Sequence, residues 1–305
     1  MAKGWKRVAE VALHRSGIVG IAERRRRSSL VILAYHNIVP RGEDLVGDAS
    51  LHVDQEVFAD QLDWLLEGRD IVSLRDALTP DGEIDRGART RLVVTFDDAY
   101  RGAMTSGMEE LRKRGVPSTV FVPPGLLGTE GFWWDRLAVG GAPLEGAVRD
   151  HALGALRGRG HEILEWARGE SMPIQDVPDH ARPLTEDELL SHPTLGAPTL
   201  GAHTWSHPNL AMLDGREVAD ELGRSREWLK SRTDHYVDWL AYPYGLTNRG
   251  AEDAAAGLFR ASALIAGGAA VIRGARVGSL QRVPRLNVPR GMSIEGLALR
   301  LAGLP

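Results

Sequence analysis

The chain has 305 residues, 43% of them hydrophobic, enough to bury a substantial core in one large domain or two small ones. Thirty-seven Lys and Arg against 41 Asp and Glu leave a net charge of −4, which argues against a general nucleic-acid binder, and the absence of cysteine excludes disulfides, thiolate metal ligands and thiol catalysis. No stretch approaches the roughly 18 apolar residues of a membrane-spanning helix, and Glu10, His14 and Arg15 interrupt any signal-peptide core, so a cytoplasmic location is expected.

Residues 1–29 form a basic extension with eight Lys/Arg against two Glu, weak helical spacing at Trp5, Val8 and Ala12, and a terminal run Arg24-Arg25-Arg26-Arg27. Such an arm either packs in solvent against the domain or makes peripheral contact with anionic lipid at the inner membrane face, where each basic residue contributes about 1 kcal/mol. Residues 30–35 read as the first buried strand, ending at His36. Residues 54–67 read as a helix with Phe58, Leu62, Leu65 and Leu66 on one face and Asp54 at its N-cap. A short extended piece follows at 71–74, then a charged, Gly-containing loop at 81–89.

Leu92-Val93-Val94-Thr95-Phe96-Asp97-Asp98 is an apolar, β-branched run that stops at two carboxylates. Helical signals over 99–114, closed by Gly115, and a second apolar run at 118–122 complete a parallel βαβ unit, in which functional groups gather at the carboxyl ends of strands. From about 129 to 196 the pattern changes to interspersed Gly, Arg, Glu and His, opened by Phe132-Trp133-Trp134-Asp135 and read as a helical insertion with two or three helices. Thr185-x-x-Glu188 matches a capping box inside it. A strand at 198–202 runs into His203-Thr204-Trp205-Ser206-His207, and Asp214-x-x-Glu217 opens a helix with Val218, Leu222 and Leu229 inward. A strand at 237–242 enters Pro243-Tyr244-Gly245, Asn248 caps an alanine-rich helix, and the stretches 258–265 and 278–286 close the chain. Roughly seven strands alternating with helices suggest a parallel barrel.

Two adjacent carboxylates at a buried strand end repel each other and need a cation, a proton or donors nearby. If the chain turns into a helix at 203–207, the spacing of four puts both imidazoles on one side. Two neutral imidazoles and one carboxylate make a three-ligand site for a divalent ion, with positions left open to water. An aromatic-Pro-aromatic-Gly turn at a strand end is able to aim a backbone N–H outward, as an oxyanion requires, although the motif alone reads first as an ordinary tight turn.

In type, order and separation, Thr95-Phe96-Asp97-Asp98 and His203-Thr204-Trp205-Ser206-His207 resemble the polysaccharide deacetylases, the NodB-homology or carbohydrate esterase family 4 group. Tyr35-His36 and Tyr242-Pro243-Tyr244-Gly245 look like the branch with Tyr-His and Tyr-Pro-Tyr-Gly signatures. The resemblance covers about residues 30–290. It implies a distorted (β/α)7 barrel, here residues 30–305 with the insertion at about 129–196, and hydrolysis of an N-acetyl group from an amino sugar in a glycan or glycolipid precursor. Carried over by position, Asp98, His203 and His207 resemble the metal ligands, for Zn2+ first and Co2+ or Ni2+ as alternatives. Asp97 resembles the general base, and the Tyr244 backbone N–H the oxyanion donor.

The chain departs from the family pattern in two places. Ala241 stands where many members have an Arg that orients the base, so Arg282 or Arg285 from the last strand, or Asp135, is expected to substitute. The late Leu-x-His that supplies the general acid is missing, since no histidine follows His235. His36 is the first candidate to replace it and His235 the second. These gaps keep three further readings in view: a catalytically degenerate glycan-binding protein, an amidase acting on a small non-sugar amide, and a phosphoacceptor domain that would leave His203 and His207 idle.

Overall fold

The computed structural model describes residues 10–11, 29–78, 90–191, 198–266, 271–272 and 279–304. Apart from Glu10, Val11 and Ser29 the basic extension lies outside the described residues, as does the loop expected at 81–89. The run Leu-Val-Ile-Leu-Ala-Tyr forms the first strand, β1 (Leu30–Tyr35), buried along its whole length. The other six barrel strands follow the same logic: short, mostly apolar segments flanked by helices on the outside, which is the pattern a strand buried on both faces requires.

In chain order the elements are β1; β2 (Asn37–Val39) and β3 (His52–Asp54), which pair only with each other; helix α1 (Gln55–Leu66); β4 (Asp70–Ile71); β5 (Arg91–Asp97); α2 (Met108–Lys113), preceded by a π-helical turn over Ala103–Gly107; and β6 (Ser118–Val122). Four helices separate β6 from the next strand: α3 (Trp133–Leu137), α4 (Gly146–Leu153), α5 (Gly160–Gly169) and α6 (Glu186–Leu190). Then come β7 (Thr199–Ala202), α7 (Gly215–Arg232), β8 (Tyr236–Ala241), α8 (Arg249–Ala256), β9 (Ala261–Ala266), β10 (Val271–Ile272), β11 (Val283–Asn287) and α9 (Ile294–Leu301).

Seven parallel strands close on themselves in the order β1-β5-β6-β7-β8-β9-β11 and back to β1, the distorted (β/α)7 barrel expected. β4 adds in parallel to the start of β5 and β10 adds antiparallel to the start of β1, so both thicken the amino-terminal end of the barrel. Strand alternation sorts the side chains into two cores. Val31, Leu33, Tyr35, Leu92, Val94 and Phe96 face outward and pack under the helices. Leu30, Ile32, Val93, Phe121, Trp239 and Val283 face inward, and Leu74, Ala77 and Leu78 plug the amino-terminal end. One glycine is required here. Gly201 faces the interior, and a Cβ there would lie 2.7 Å from ring carbons of Phe121.

Local signals performed as written for the caps. Thr185 with Glu188 and Asp214 with Glu217 form complete capping boxes, and the Asn248 side chain caps α8. Gly115 ends α2 at φ 63°, where a side chain is disfavoured. Three expectations change. Asp54 flanks α1 without a side-chain cap bond. The extended piece expected at 71–74 is only Asp70–Ile71, with Leu74 in a turn. The insertion holds four helices among its described residues, one more than the pattern suggested. Among the described residues no helix is long and apolar enough to cross a membrane.

Candidate active site

The carboxyl end of the barrel is where inward-facing side chains stop being apolar. Counting by twos from Val93 gives Thr95 and Asp97; from Gly201, His203; from Val283, Arg285 and Asn287. Register brings these rows together: Ala34 of β1 pairs with Thr95 on one side and with Asn287 on the other, so Asp97 and Arg285 flank the same strand inside the barrel. Both are fully buried. The Arg285 guanidinium grips Asp97 with both prongs, Nη1 to Oδ1 at 2.7 Å and Nη2 to Oδ2 at 2.8 Å. It is steadied by Nη1 donating to Thr95 Oγ1 at 3.2 Å and by the Phe121 ring 5.1 Å beneath it. His36, just past β1, places Nε2 3.9 Å from Asp97 Oδ2.

Asp98 should face away from Asp97 if the strand continued. Instead Asp98 and Ala99 take left-handed backbone conformations, φ 71° and 57°, so the chain leaves the pleat and both carboxylates line one cavity. His203 and His207 join Asp98 there, and the segment between them is not the helix the spacing allowed for. It is an irregular turn in which Thr204 and His207 are left-handed, φ 61° and 60°. Thr204 Oγ1 accepts from the His207 N–H at 3.0 Å. Glu221, on α7, accepts from the Trp205 and Ser206 N–H groups at 2.9 and 2.8 Å and from the Ser206 hydroxyl at 2.6 Å. Of the seven non-glycine residues with positive φ among the described residues, five (Asp98, Ala99, Thr204, His207, Tyr244) belong to this site. Each such conformation costs on the order of 1–3 kcal/mol and persists only where the surroundings over-determine it.

The Asp98, His203 and His207 ligand atoms all lie within 4.8 Å of one another. Nε2 of His203 and His207 sit 3.4 and 3.2 Å from Asp98 Oδ1, yet that buried oxygen meets no hydrogen-bond geometry. The two Nε2 atoms also stand 3.1 Å from each other, so three acceptor-capable atoms crowd one point, an arrangement that a proton or a shared cation stabilises. His203 Nδ1 donates to the Ala241 carbonyl at 2.8 Å, which leaves Nε2 bare as a ligand atom. The electrostatics agree. Burial opposes a proton on His203, but Asp97, Asp98 and the Ala241 carbonyl outweigh it and raise its pKa, so positive charge is favoured at this point. Burial dominates at His207 and lowers its pKa to about 3, leaving a neutral imidazole. Burial would raise Asp98, but His207 and His203 hold it below the ordinary carboxylate range. The three residues therefore fit a divalent ion, with Asp97 withheld from it by Arg285. At Asp97 burial again acts upward and is overcome, chiefly by Arg285 and then by His203 and His36. Burial lowers His36 despite both carboxylates, so its resting form is neutral.

The cavity above these groups holds about 320 Å³ and is walled by Trp134, Leu144, Arg149, Tyr244, Ile265 and Asn287, among others. Tyr244 (φ 59°) packs its ring edge-on against His207, centroids 4.6 Å apart, and accepts from Trp133 Nε1 at 3.0 Å. Trp134 stands 5.0 Å from His207 and meets the Tyr244 ring edge-on at 5.9 Å. A larger groove of about 780 Å³ adjoins the cavity through Trp134, His207 and Tyr244.

Residues 178–258, which contain His203, His207 and Tyr244 but neither Asp97 nor Asp98, match the family model described as polysaccharide deacetylase. The Streptococcus pyogenes deacetylase PplD, solved in complex with acetate, superposes with a TM-score of 0.57 at 17% identity, over 91% of this chain and 99% of that one. IcaB from Ammonifex degensii gives 0.59 at 20%, over 89% and 96%. A de-N-acetylase from Aggregatibacter actinomycetemcomitans gives 0.57 at 16%, over 85% and 94%. This is a polysaccharide deacetylase fold. No curated protein matches by sequence alone.

Within that deacetylase fold, the substitute for the arginine missing at Ala241 is Arg285. Arg282 turns instead to Glu252 on the surface. Asp135 does not reach Asp97 either. It accepts from His52 Nε2 at 2.9 Å, from the Asp48 N–H at 2.9 Å and from the Tyr100 hydroxyl at 2.6 Å, while Trp134 Nε1 donates to that hydroxyl at 2.8 Å. Asp135 thus fixes the tryptophan that walls His207. His235 is exposed and precedes β8, at the opposite end of the barrel, so it has no part in the site. Sequence reading missed Glu221, Tyr100 and Arg149. Glu221 lies half-buried beside the inward stripe Val218-Leu222-Ser225 of α7, and nothing in its neighbouring residues signals its role.

Proposed function

We propose that this chain is a metal-dependent hydrolase that removes an N-acetyl group from an amino sugar in a glycan or glycolipid precursor. One observation carries the reading: two adjacent buried carboxylates are split between an arginine fork and a pair of imidazoles, the division of labour a base and a metal ligand need. Asp98, His203 and His207 would hold the ion, Zn2+ first by the nitrogen–oxygen donor set, Co2+ or Ni2+ as alternatives. When bound, the ion supplies Lewis acidity, which polarises a carbonyl and acidifies water.

The chain's own residues do the rest. Asp97, aimed by Arg285, accepts the proton of the attacking water. The same fork that orients it also makes it a weaker base, so the ionised, correctly placed form is present at any pH above the acid range. The Tyr244 N–H donates to the carbonyl oxygen as negative charge gathers there. His36, neutral and 3.9 Å from Asp97, is positioned to pass that proton to the amine nitrogen as the C–N bond breaks, releasing acetate. The aromatic wall of Trp134 and Tyr244 suits the apolar face of a sugar ring.

A second reading, a glycan binder that does not cut, is favoured by the acid alone. No histidine follows His235, and burial disfavours the charged form of His36. Acetate release from N-acetylhexosamine conjugates by the metal-loaded protein decides between them. Release supports the hydrolase; none from a broad panel, with metal bound at one equivalent, overturns it.

A further inference from the structure

The cavity has four charged residues in its wall besides its histidines, and three are accounted for. Asp97 is held by Arg285, Asp98 faces the two imidazoles, and Asp48 accepts from the Ser50 N–H and hydroxyl at 3.0 and 2.7 Å. The fourth is Arg149, half-buried on α4. It has no carboxylate partner among the described residues. Arg149 lines the cavity with Trp134, Tyr244 and Asn287, and its charge is felt at the Tyr244 hydroxyl.

A cation kept unpaired at the mouth of a cavity whose other charges are committed has one chemical use there. We infer that Arg149 reads an anionic group on the substrate, and that the amino sugar taken by this site carries a phosphate ester beside the N-acetyl group. The guanidinium fork matches two phosphate oxygens at once, and Asn287 and Ser50 line the same wall as further polar groups. The anion lies apart from Asp97, whose own positive partner is buried beneath it and already saturated by both carboxylate oxygens. Glycosyl phosphates occur as nucleotide diphosphate sugars and as polyprenyl phosphate sugars; the shared phosphate is the inference, and the carrier is left to the experiment. The identity of the sugar rests on the deacetylase reading, but the anion site does not.

The test uses the full chain and two readouts. With chelator present, to remove any metal-phosphate contact, fluorescence of Trp134 and its neighbours is followed on titration with N-acetylglucosamine 1-phosphate and with N-acetylglucosamine. The phosphate is expected to bind at least about tenfold more tightly, the advantage falling with salt. Arg149→Gln removes the preference and Arg149→Lys retains part of it. With metal added, acetate release is compared for a neutral glycoside, a nucleotide diphosphate N-acetyl sugar and a short-chain polyprenyl phosphate N-acetyl sugar, and the faster of the charged two names the carrier. Equal binding of charged and neutral sugars, or a preference that survives Arg149→Gln, overturns the inference. A preference abolished by Arg149→Gln with no acetate from any substrate upholds the anion site and defeats the deacetylase reading. Acetate released without regard to charge does the reverse.

Discussion

Asp97 and Asp98 are neighbours in sequence, both buried and both ionised, and they sit in opposite environments. On the Asp97 side every oxygen is paired with a guanidinium nitrogen at ordinary distance. On the Asp98 side an oxygen is surrounded by nitrogen atoms and bonded to none. The contrast shows how one residue type acquires two roles. A satisfied carboxylate is oriented and unavailable to a cation; an unsatisfied one, beside bare imidazole nitrogens, asks for a cation. The boundary between them is the left-handed turn at Asp98 and Ala99, since a continued strand would have sent Asp98 to the outer core.

Breaking either half should separate the two roles. Asp97→Asn is expected to lower turnover about 10²–10⁴-fold while metal stays at one equivalent, whereas Asp98→Asn or His203→Ala loses the metal itself. Elemental analysis alongside acetate release reads both, and a variant at Asp97 that also loses metal would erase the distinction. Next in size is Arg285→Ala, which leaves a buried carboxylate without its counter-charge and should cost roughly 3–5 kcal/mol in denaturant unfolding.

A third prediction uses a carboxylate outside the site as a control for buried pairing. Burial would raise Glu110, but donors from Gln55, Arg114 and Lys113 bring it from 4.5 to about 2. Because the folded value is depressed, its stabilisation is present above pH 4.5 and is lost as pH falls toward 2. The difference in unfolding free energy between the native chain and Glu110→Gln should be on the order of 2 kcal/mol at neutral pH and shrink across that window. A difference flat in pH would mean that the pairing contributes nothing. An effect of similar size is expected from Gly201→Ala, where the added methyl presses on Phe121 beneath Arg285. A loss of about 1–3 kcal/mol in thermal or denaturant unfolding is expected, with a fall in activity if Phe121 moves the guanidinium it supports.

Much of this molecule was legible from local pattern. The six-residue run ending at Tyr35, the β-branched run ending at Asp97, the capping boxes at Thr185 and Asp214, and the alternation that puts Thr95 and Asp97 on one face all depend on residues within a turn or a pleat of each other, so the chain's order determined them. The donor types at 97, 98, 203 and 207 were equally plain. What the tertiary structure alone decided depends on closure of the barrel and on strained turns. Choosing Arg285 over Arg282 required knowing that β11 returns beside β1, across 188 residues from Asp97. The convergence of His203 and His207 comes from a turn held by Glu221 on a later helix, not from helical spacing. Arg149 joins Tyr244 and Asn287 in the cavity wall although it comes from a helix of the insertion. In each case the deciding energy lies in contacts between segments far apart in the chain, and no window along the sequence contains both partners.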